Sequence, residues 1–151
     1  MEKIVVDTSI IIDGEITKLI ESDNLKDCEI IIPVAVLDEL QAQASQNKDY
    51  GFVGLEEIRK IRELAATKDI ILRFEGERPS MDDIKLARHG RIDAIIKDIA
   101  KKNNATFYTA DYVQALVSQA EGVKTRYSKP EVKISDLEFE KFFDDQTMSD
   151  I

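Results

Sequence analysis

The stretch Lys3-Ile4-Val5-Val6-Asp7-Thr8-Ser9 changes character halfway along. Lys3 to Val6 is a short apolar, β-branched run of the kind that fills a buried strand. Asp7, Thr8 and Ser9 are residue types whose short polar side chains cap helices. The chain therefore reads as a strand entering a helix, which continues through Ile16, Leu19 and Ile20 to the polar turn Ser22-Asp23-Asn24. The same exchange then repeats: Glu29 to Ile32 reads as a second buried strand, and Pro33 suits the first turn of a helix through Val36, Leu37 and Leu40.

Working outward, the pattern between Ala42 and Val53 turns polar and glycine-bearing, and its composition predicts a mobile loop over residues 43–52. Gly54 to Ala66 has helical spacing, with Leu55, Ile58, Ile61 and Leu64 or Ala65 on one face. Ile70 to Phe74 reads as a third strand, and Ser80 with Asp83 forms a capping box for a short helix that stops near Gly90. Arg91 to Lys102 is amphipathic through Ile92, Ile95, Ile96 and Ile99. Ala105 to Tyr108 reads as strand four, Asp111 to Ala120 as a helix stopped by Gly122, and Val123 to Tyr127 as strand five. Strands alternating with helices predict an α/β domain with a parallel sheet covered on both faces.

The 151 residues, 43% of them hydrophobic, are enough for one domain with a genuine core. The single cysteine, Cys28, excludes an internal disulfide framework and a Cys-rich zinc site, and reads as a small buried hydrophobe. No apolar run is long enough to span a bilayer and no signal-like segment opens the chain, so a cytoplasmic location with no membrane partner is expected. A formal charge of −9 argues against a broad basic surface. Affinity for RNA or DNA would have to come from metal ions and local basic residues.

Asp7, Glu39, Asp93 and Asp111 are far apart in sequence, yet each stands where the local pattern changes. In an open parallel sheet, ligands bind outside the carboxyl ends of the strands, where the strand order reverses. Asp7 and Asp111 directly follow strands one and four, and Glu39 and Asp93 lie on helices that begin at the same edge. Hard cations such as Mg²⁺ or Mn²⁺ take oxygen ligands and keep several waters, which makes this a candidate metal site and phosphodiester hydrolysis the first chemistry to consider. Each acid also has a plainer explanation: Asp7 and Asp111 as helix caps, Asp93 as a first-turn complement to the helix dipole, Glu39 as a solvated helix residue. Against these stands the cost of an unpaired carboxylate beside the apolar neighbours of Asp7 and Asp93.

Asp7-Thr8-Ser9 after an N-terminal strand, Glu39 in a helix, Asp93 opening a later helix, and Thr109-Ala110-Asp111 after strand four together resemble the PIN domain family, over residues 1–127. The resemblance implies a five-stranded parallel sheet of order 3-2-1-4-5 and metal-dependent endonuclease activity on single-stranded or structured RNA, sometimes DNA. It implies that Asp7, Glu39, Asp93 and Asp111 form the acidic cluster, with Asp7, Asp93 and Asp111 on the metal. Ser9 and Thr109 would hold the cluster or a bound water, although capping and turn formation also account for them. Arg91 and Lys97 are candidate phosphate contacts, a solvated charged face being the alternative, and His89 reads as exposed polar filler.

Pro33 to Gln41, Gly54 to Ile58, and Phe142 to Ser149 further resemble the N-terminal domain of archaeal PIN-ATPase-KH proteins. That resemblance implies that the acidic extension 128–151 leads into ATPase and KH domains. The chain itself has no G-x-x-x-x-G-K-[ST] loop, and its end at Ile151 suggests an excised domain. An assembly or regulatory module of an attached ATPase and a stand-alone toxin ribonuclease are the rival readings, and a homo-oligomer is an open alternative.

Overall fold

The structure, a computed structural model, describes residues 1–86 and 90–130. Five parallel strands form one sheet: β1 (Glu2–Val6), β2 (Cys28–Pro33), β3 (Ile71–Glu75), β4 (Thr106–Thr109) and β5 (Thr125–Tyr127), in the order β3-β2-β1-β4-β5. Successive side chains of a strand point to opposite faces. Ile4, Val5 and Val6 are nevertheless all fully buried, as are Ile30, Ile31 and Ile32 of β2, so the central strands are covered on both faces. This explains why they read as continuous apolar runs rather than alternating ones. Cys28 is buried at the start of β2, and burial pushes its thiol up to about 11, which keeps it unreactive.

Seven described helices connect the strands: α1 (Thr8–Asp13), α2 (Glu15–Glu21), α3 (Val34–Ser45), α4 (Asp49–Ala65), α5 (Met81–Lys85), α6 (Arg91–Asn103) and α7 (Tyr112–Ala120). The single helix expected after β1 is two. Gly14 adopts φ +76°, donates its N–H to the Ile11 carbonyl and stops α1, and α2 starts immediately after it. Ile10, Ile11, Ile16, Leu19 and Ile20 are buried on both sides of this break, so the apolar spacing gave no sign of it.

The expected mobile loop over residues 43–52 is a second correction. α3 runs to Ser45 and α4 starts at Asp49, which leaves Gln46, Asn47 and Lys48 as the connection, with Asn47 at φ +58°. Gly51, which suggested a loop, and Gly54, expected to open the next helix, both lie buried where the two helices touch. A Cβ on Gly51 would stand 2.3 Å from the Ala44 backbone nitrogen, and one on Gly54 would stand 2.4 Å from Leu40 Cδ2. Buried Glu57 fastens α4 to α2 by accepting hydrogen bonds from Thr17 N and Oγ1 at 3.1 and 3.0 Å.

The Ser80–Asp83 capping box forms as expected, but α5 closes at Leu86. His89 lies outside the described residues, as does the acidic tail from residue 131 onward with its Phe142–Ser149 ending. No described helix is long and apolar enough to cross a membrane.

Candidate active site at the carboxyl edge of the sheet

The reversal of strand order falls between β1 and β4, whose carboxyl ends lie side by side with Val6 opposite Tyr108. Asp7 follows β1 and is 4% exposed. Its Oδ1 accepts from Ile10 N at 3.0 Å, which caps α1, and from Ser9 Oγ at 2.7 Å; its Oδ2 accepts from Thr109 Oγ1 across the β1–β4 seam. Ser9 Oγ accepts from Ala110 N, and Thr109 Oγ1 accepts from Asp111 N and lies 3.1 Å from Ser9 Oγ. The two hydroxyls thus clamp both strand ends around one carboxylate.

Burial pushes the Asp7 carboxyl up to about 6 despite these hydrogen bonds, and the nearby Asp93 carboxylate adds to the rise. Asp93 sits in the first turn of α6, half-buried, and is also raised, by its own burial and by Asp111, with Lys97 opposing. Asp111 is exposed at the start of α7, where one oxygen, Oδ1, caps Val113 N and Gln114 N at 2.9 and 3.2 Å. Capping and membership of the cluster are therefore compatible for both Asp7 and Asp111. Glu39, exposed on α3, accepts from Thr8 Oγ1 at 2.8 Å, a positioning contact that the sequence did not single out.

All four acids line one open cleft of about 480 Å³, together with Thr8, Ser9, Ile12, Gln43, Tyr50, Ala110, Tyr127 and Pro130. A volume of that order admits a nucleotide. No lysine or arginine is among the described residues lining it. Arg91 points its Nε to Asp83 at 2.8 Å, and Lys97, rather than standing on a solvated face, is buried with Nζ 3.3 Å from Gln114 Oε1 and 3.6 Å from Glu121. The structure does not bring these two cations into the cleft. Tyr50 and Tyr127 are cleft residues that sequence reasoning missed; Tyr127 looked like an ordinary strand residue.

The donor set can be tested against a divalent cation. Among the described residues, no three Asp, Glu, His or Cys side chains converge into a ready-made cage. An ionised carboxylate offers about four acceptor positions. Asp7 uses three, and among the described residues Asp111 Oδ2 and half-buried Asp93 accept no hydrogen bond. Spare oxygen acceptors in a cluster where Asp93 raises the pKa of Asp7 and Asp111 raises that of Asp93 suit a hydrated hard cation, which needs only one or two direct carboxylates.

A protein-family model, PIN domain, matches residues 4–119. The chain belongs to the PIN domain family. PIN domains are generally nucleases and typically use divalent metal ions. The chain is 41% identical over 148 residues to an uncharacterized KH and PIN-domain containing protein of Methanocaldococcus jannaschii, covering 98% of this chain and 23% of that protein. It is 24% identical over 143 residues to the Holliday junction branch migration ATPase PINA of Sulfolobus acidocaldarius, covering 95% of this chain and 26% of that protein. The chain thus spans about a quarter of the length of these curated relatives. A solved domain of a functionally unknown Methanocaldococcus jannaschii protein superposes with a TM-score of 0.79 at 41% identity, covering 89% of this chain and 98% of that one.

The hydroxyl clamp yields a first expectation for this PIN domain. Thr109→Val keeps the shape of the side chain but removes the donor to Asp7, so the Asp7 pKa should rise further. A hydrogen bond to a charged group contributes about 1.5–3 kcal/mol. The loss of stability should approach that size at pH 8, where Asp7 is ionised, and be smaller at pH 5. Urea unfolding at the two pH values measures the difference; an equal loss at both would mean that Thr109 acts through packing and its bonds to Asp111 N and Ser9 Oγ rather than through the Asp7 carboxylate.

Proposed function

We propose that this PIN domain is a divalent-metal-dependent endonuclease that hydrolyses phosphodiester bonds of RNA or DNA and works in the cytoplasm as the nuclease part of a larger ATPase. The observation that carries the reading is Asp93: a half-buried carboxylate with no hydrogen-bond donor among the described residues, beside Asp7 and Asp111. Such a group suits a bound cation: the Lys97 ammonium lies near enough to oppose the rise of its pKa but is turned to Gln114 and Glu121, outside the residues lining the cleft.

Asp93, Asp7 and Asp111 would hold Mg²⁺ or Mn²⁺, and Glu39 would complete the acidic lining beside them. When bound, the ion supplies an activated water and charge neutralisation on the scissile phosphate. Ser9 and Thr109 keep Asp7 in place and ionisable, Thr8 orients Glu39, and the cleft gives the strand access to the acids. An active site of carboxylates and hydroxyls needs no histidine base.

The test incubates labelled single-stranded RNA and DNA with Mg²⁺, Mn²⁺ or chelator. Cleavage should require the metal and vanish in Asp93→Asn; products formed in chelator would overturn the mechanism. Because the chain is acidic, binding by the isolated domain should be weak and more dependent on divalent metal than on monovalent salt. Filter binding across both titrations checks this, and tight metal-independent binding unaffected by Asp7→Asn would point to another site.

The names of the two relatives, one with a KH domain and one an ATPase, support an attached domain over a stand-alone toxin ribonuclease. They also support a second reading in which the fold assembles or regulates the ATPase and cleaves little. A full-length protein whose ATPase activity needs residues 1–127 but tolerates Asp93→Asn would favour that reading.

A further inference from the structure

The wall of the cleft at β5 carries an aromatic ring that the acidic chemistry does not use, Tyr127, and a second ring, Tyr112 of α7, packs against it. Tyr127 stands in register with Thr109, the residue whose hydroxyl holds Asp7, and lines the cleft. Tyr112 follows Asp111 directly and opens α7. The fold thus places one tyrosine beside each of two site residues. Their ring centroids are 5.3 Å apart at an interplanar angle of 62°, an edge-to-face contact that orients the pair. Tyr127 keeps 36% of its surface exposed and Tyr112 59%.

A polyanionic strand entering this cleft meets four carboxylates and, among the described residues, no lining cation. A divalent ion would anchor one phosphate, and no described lining residue offers a positive charge to hold the rest of the strand. Base stacking needs no positive charge and works with any base, because every base has a π face. In a duplex those faces are already stacked on one another.

We propose that Tyr127, oriented by Tyr112, is a stacking platform for an unpaired nucleobase next to the scissile phosphate, and that it selects single-stranded over duplex substrate. The assignment rests on the nuclease reading of the cleft. It predicts that an oligonucleotide is held by its metal-bound phosphate and by one flanking base.

The probe is a single-stranded RNA carrying 2-aminopurine at one position in turn, bound by the intact chain in Ca²⁺. At one position the fluorophore should be quenched. Tyr127→Ala should abolish that quenching and weaken binding about 10-fold or more, the scale of a lost base–aromatic stack, whereas Tyr127→Phe should retain both. An abasic nucleotide at the same position should weaken the parent by a similar factor and Tyr127→Ala hardly further. Thermal melts of each variant identify any loss due to unfolding, in which case Tyr127→Phe against the abasic strand carries the comparison.

Additive losses, or duplex bound as tightly as single strand, would overturn the platform. So would a change in sedimentation without a change in affinity. Val113, Leu116 and Val117 continue the exposed apolar face along α7, and a second copy docking there would cover the tyrosines. Failure to bind either polymer with any divalent ion would overturn the nuclease reading as well; normal binding and cleavage by Tyr127→Ala overturns the platform alone.

Discussion

Without divalent cations at pH 8, Asp7→Asn should unfold at higher denaturant concentration than the parent, while losing cleavage. The parent holds a buried carboxyl whose pKa is raised to about 6 from an ordinary 3.8. A folded-state pKa above the unfolded value means that the folded form keeps its proton longer. Stability is therefore unaffected well below pH 3.8, falls as the pH rises through the interval up to about 6, and stays reduced above it. A rise of that size corresponds to about 3 kcal/mol. Asparagine keeps the shape and still offers an oxygen to Ile10 N and Ser9 Oγ; the Thr109 hydroxyl can turn to accept from its amide. The variant should therefore gain up to about that amount at pH 8 and lose the advantage as the pH approaches 4.

Added Mn²⁺ should reverse the order, since an ion that binds only the folded parent stabilises it by mass action. Cleavage should fall by more than the roughly 10- to 100-fold usual for a residue that only supports a metal ligand. Urea midpoints at pH 4.5 and 8, with and without Mn²⁺, check all of this. A destabilised variant with an unchanged metal response would mean that Asp7 is only the cap of α1.

Much of this arrangement was legible because it depends on where strands end. A run such as Ile4-Val5-Val6 broken by Asp7 marks both a strand terminus and a carboxylate at that edge, and Thr109-Ala110-Asp111 repeats the sign. Given parallel connectivity, these acids had to share an edge. Whether each was a cap or a member of the cluster was not legible, and Asp7 Oδ1 and Asp111 Oδ1 show why: the hydrogen bonds that cap the helices leave other acceptor positions facing the cleft. The partners of Lys97 were hidden for a different reason. Helical spacing puts Lys97 one turn from Asp93, but only the packing of α7 brings Gln114 and Glu121 to its ammonium. Tyr127 was equally silent, because its place in the cleft wall comes from pairing with Thr109.

The largest departure from the sequence reading concerns residues 43–52, and Gly51→Ala tests it. In an exposed loop the change would be neutral or slightly stabilising, since alanine narrows the unfolded ensemble by about 0.4–1 kcal/mol. In a helix alanine is also preferred to glycine by about 1 kcal/mol. Both effects favour the variant, so only tertiary contact can reverse the sign. That contact is severe: the new Cβ would lie 2.3 Å from Ala44 N, 2.8 Å from the Gln43 carbonyl carbon and 2.8 Å from Leu40 O. All are backbone atoms of α3, so no side chain can rotate away and the two helices must separate. Overpacking typically costs about 1–3 kcal/mol, and a backbone clash belongs at or above the upper end. Gly51→Ala should therefore lose about 3 kcal/mol, and Gly54→Ala less, because the atoms nearest its Cβ belong to the Leu40 side chain rather than to backbone. The separation should reach the cleft too, since α3 carries Glu39 and Gln43 and α4 carries Tyr50. Activity of the folded fraction should drop along with stability. A Gly51→Ala protein as stable as the parent, with fast amide exchange from Gln43 to Phe52, would restore the mobile loop that the composition suggests.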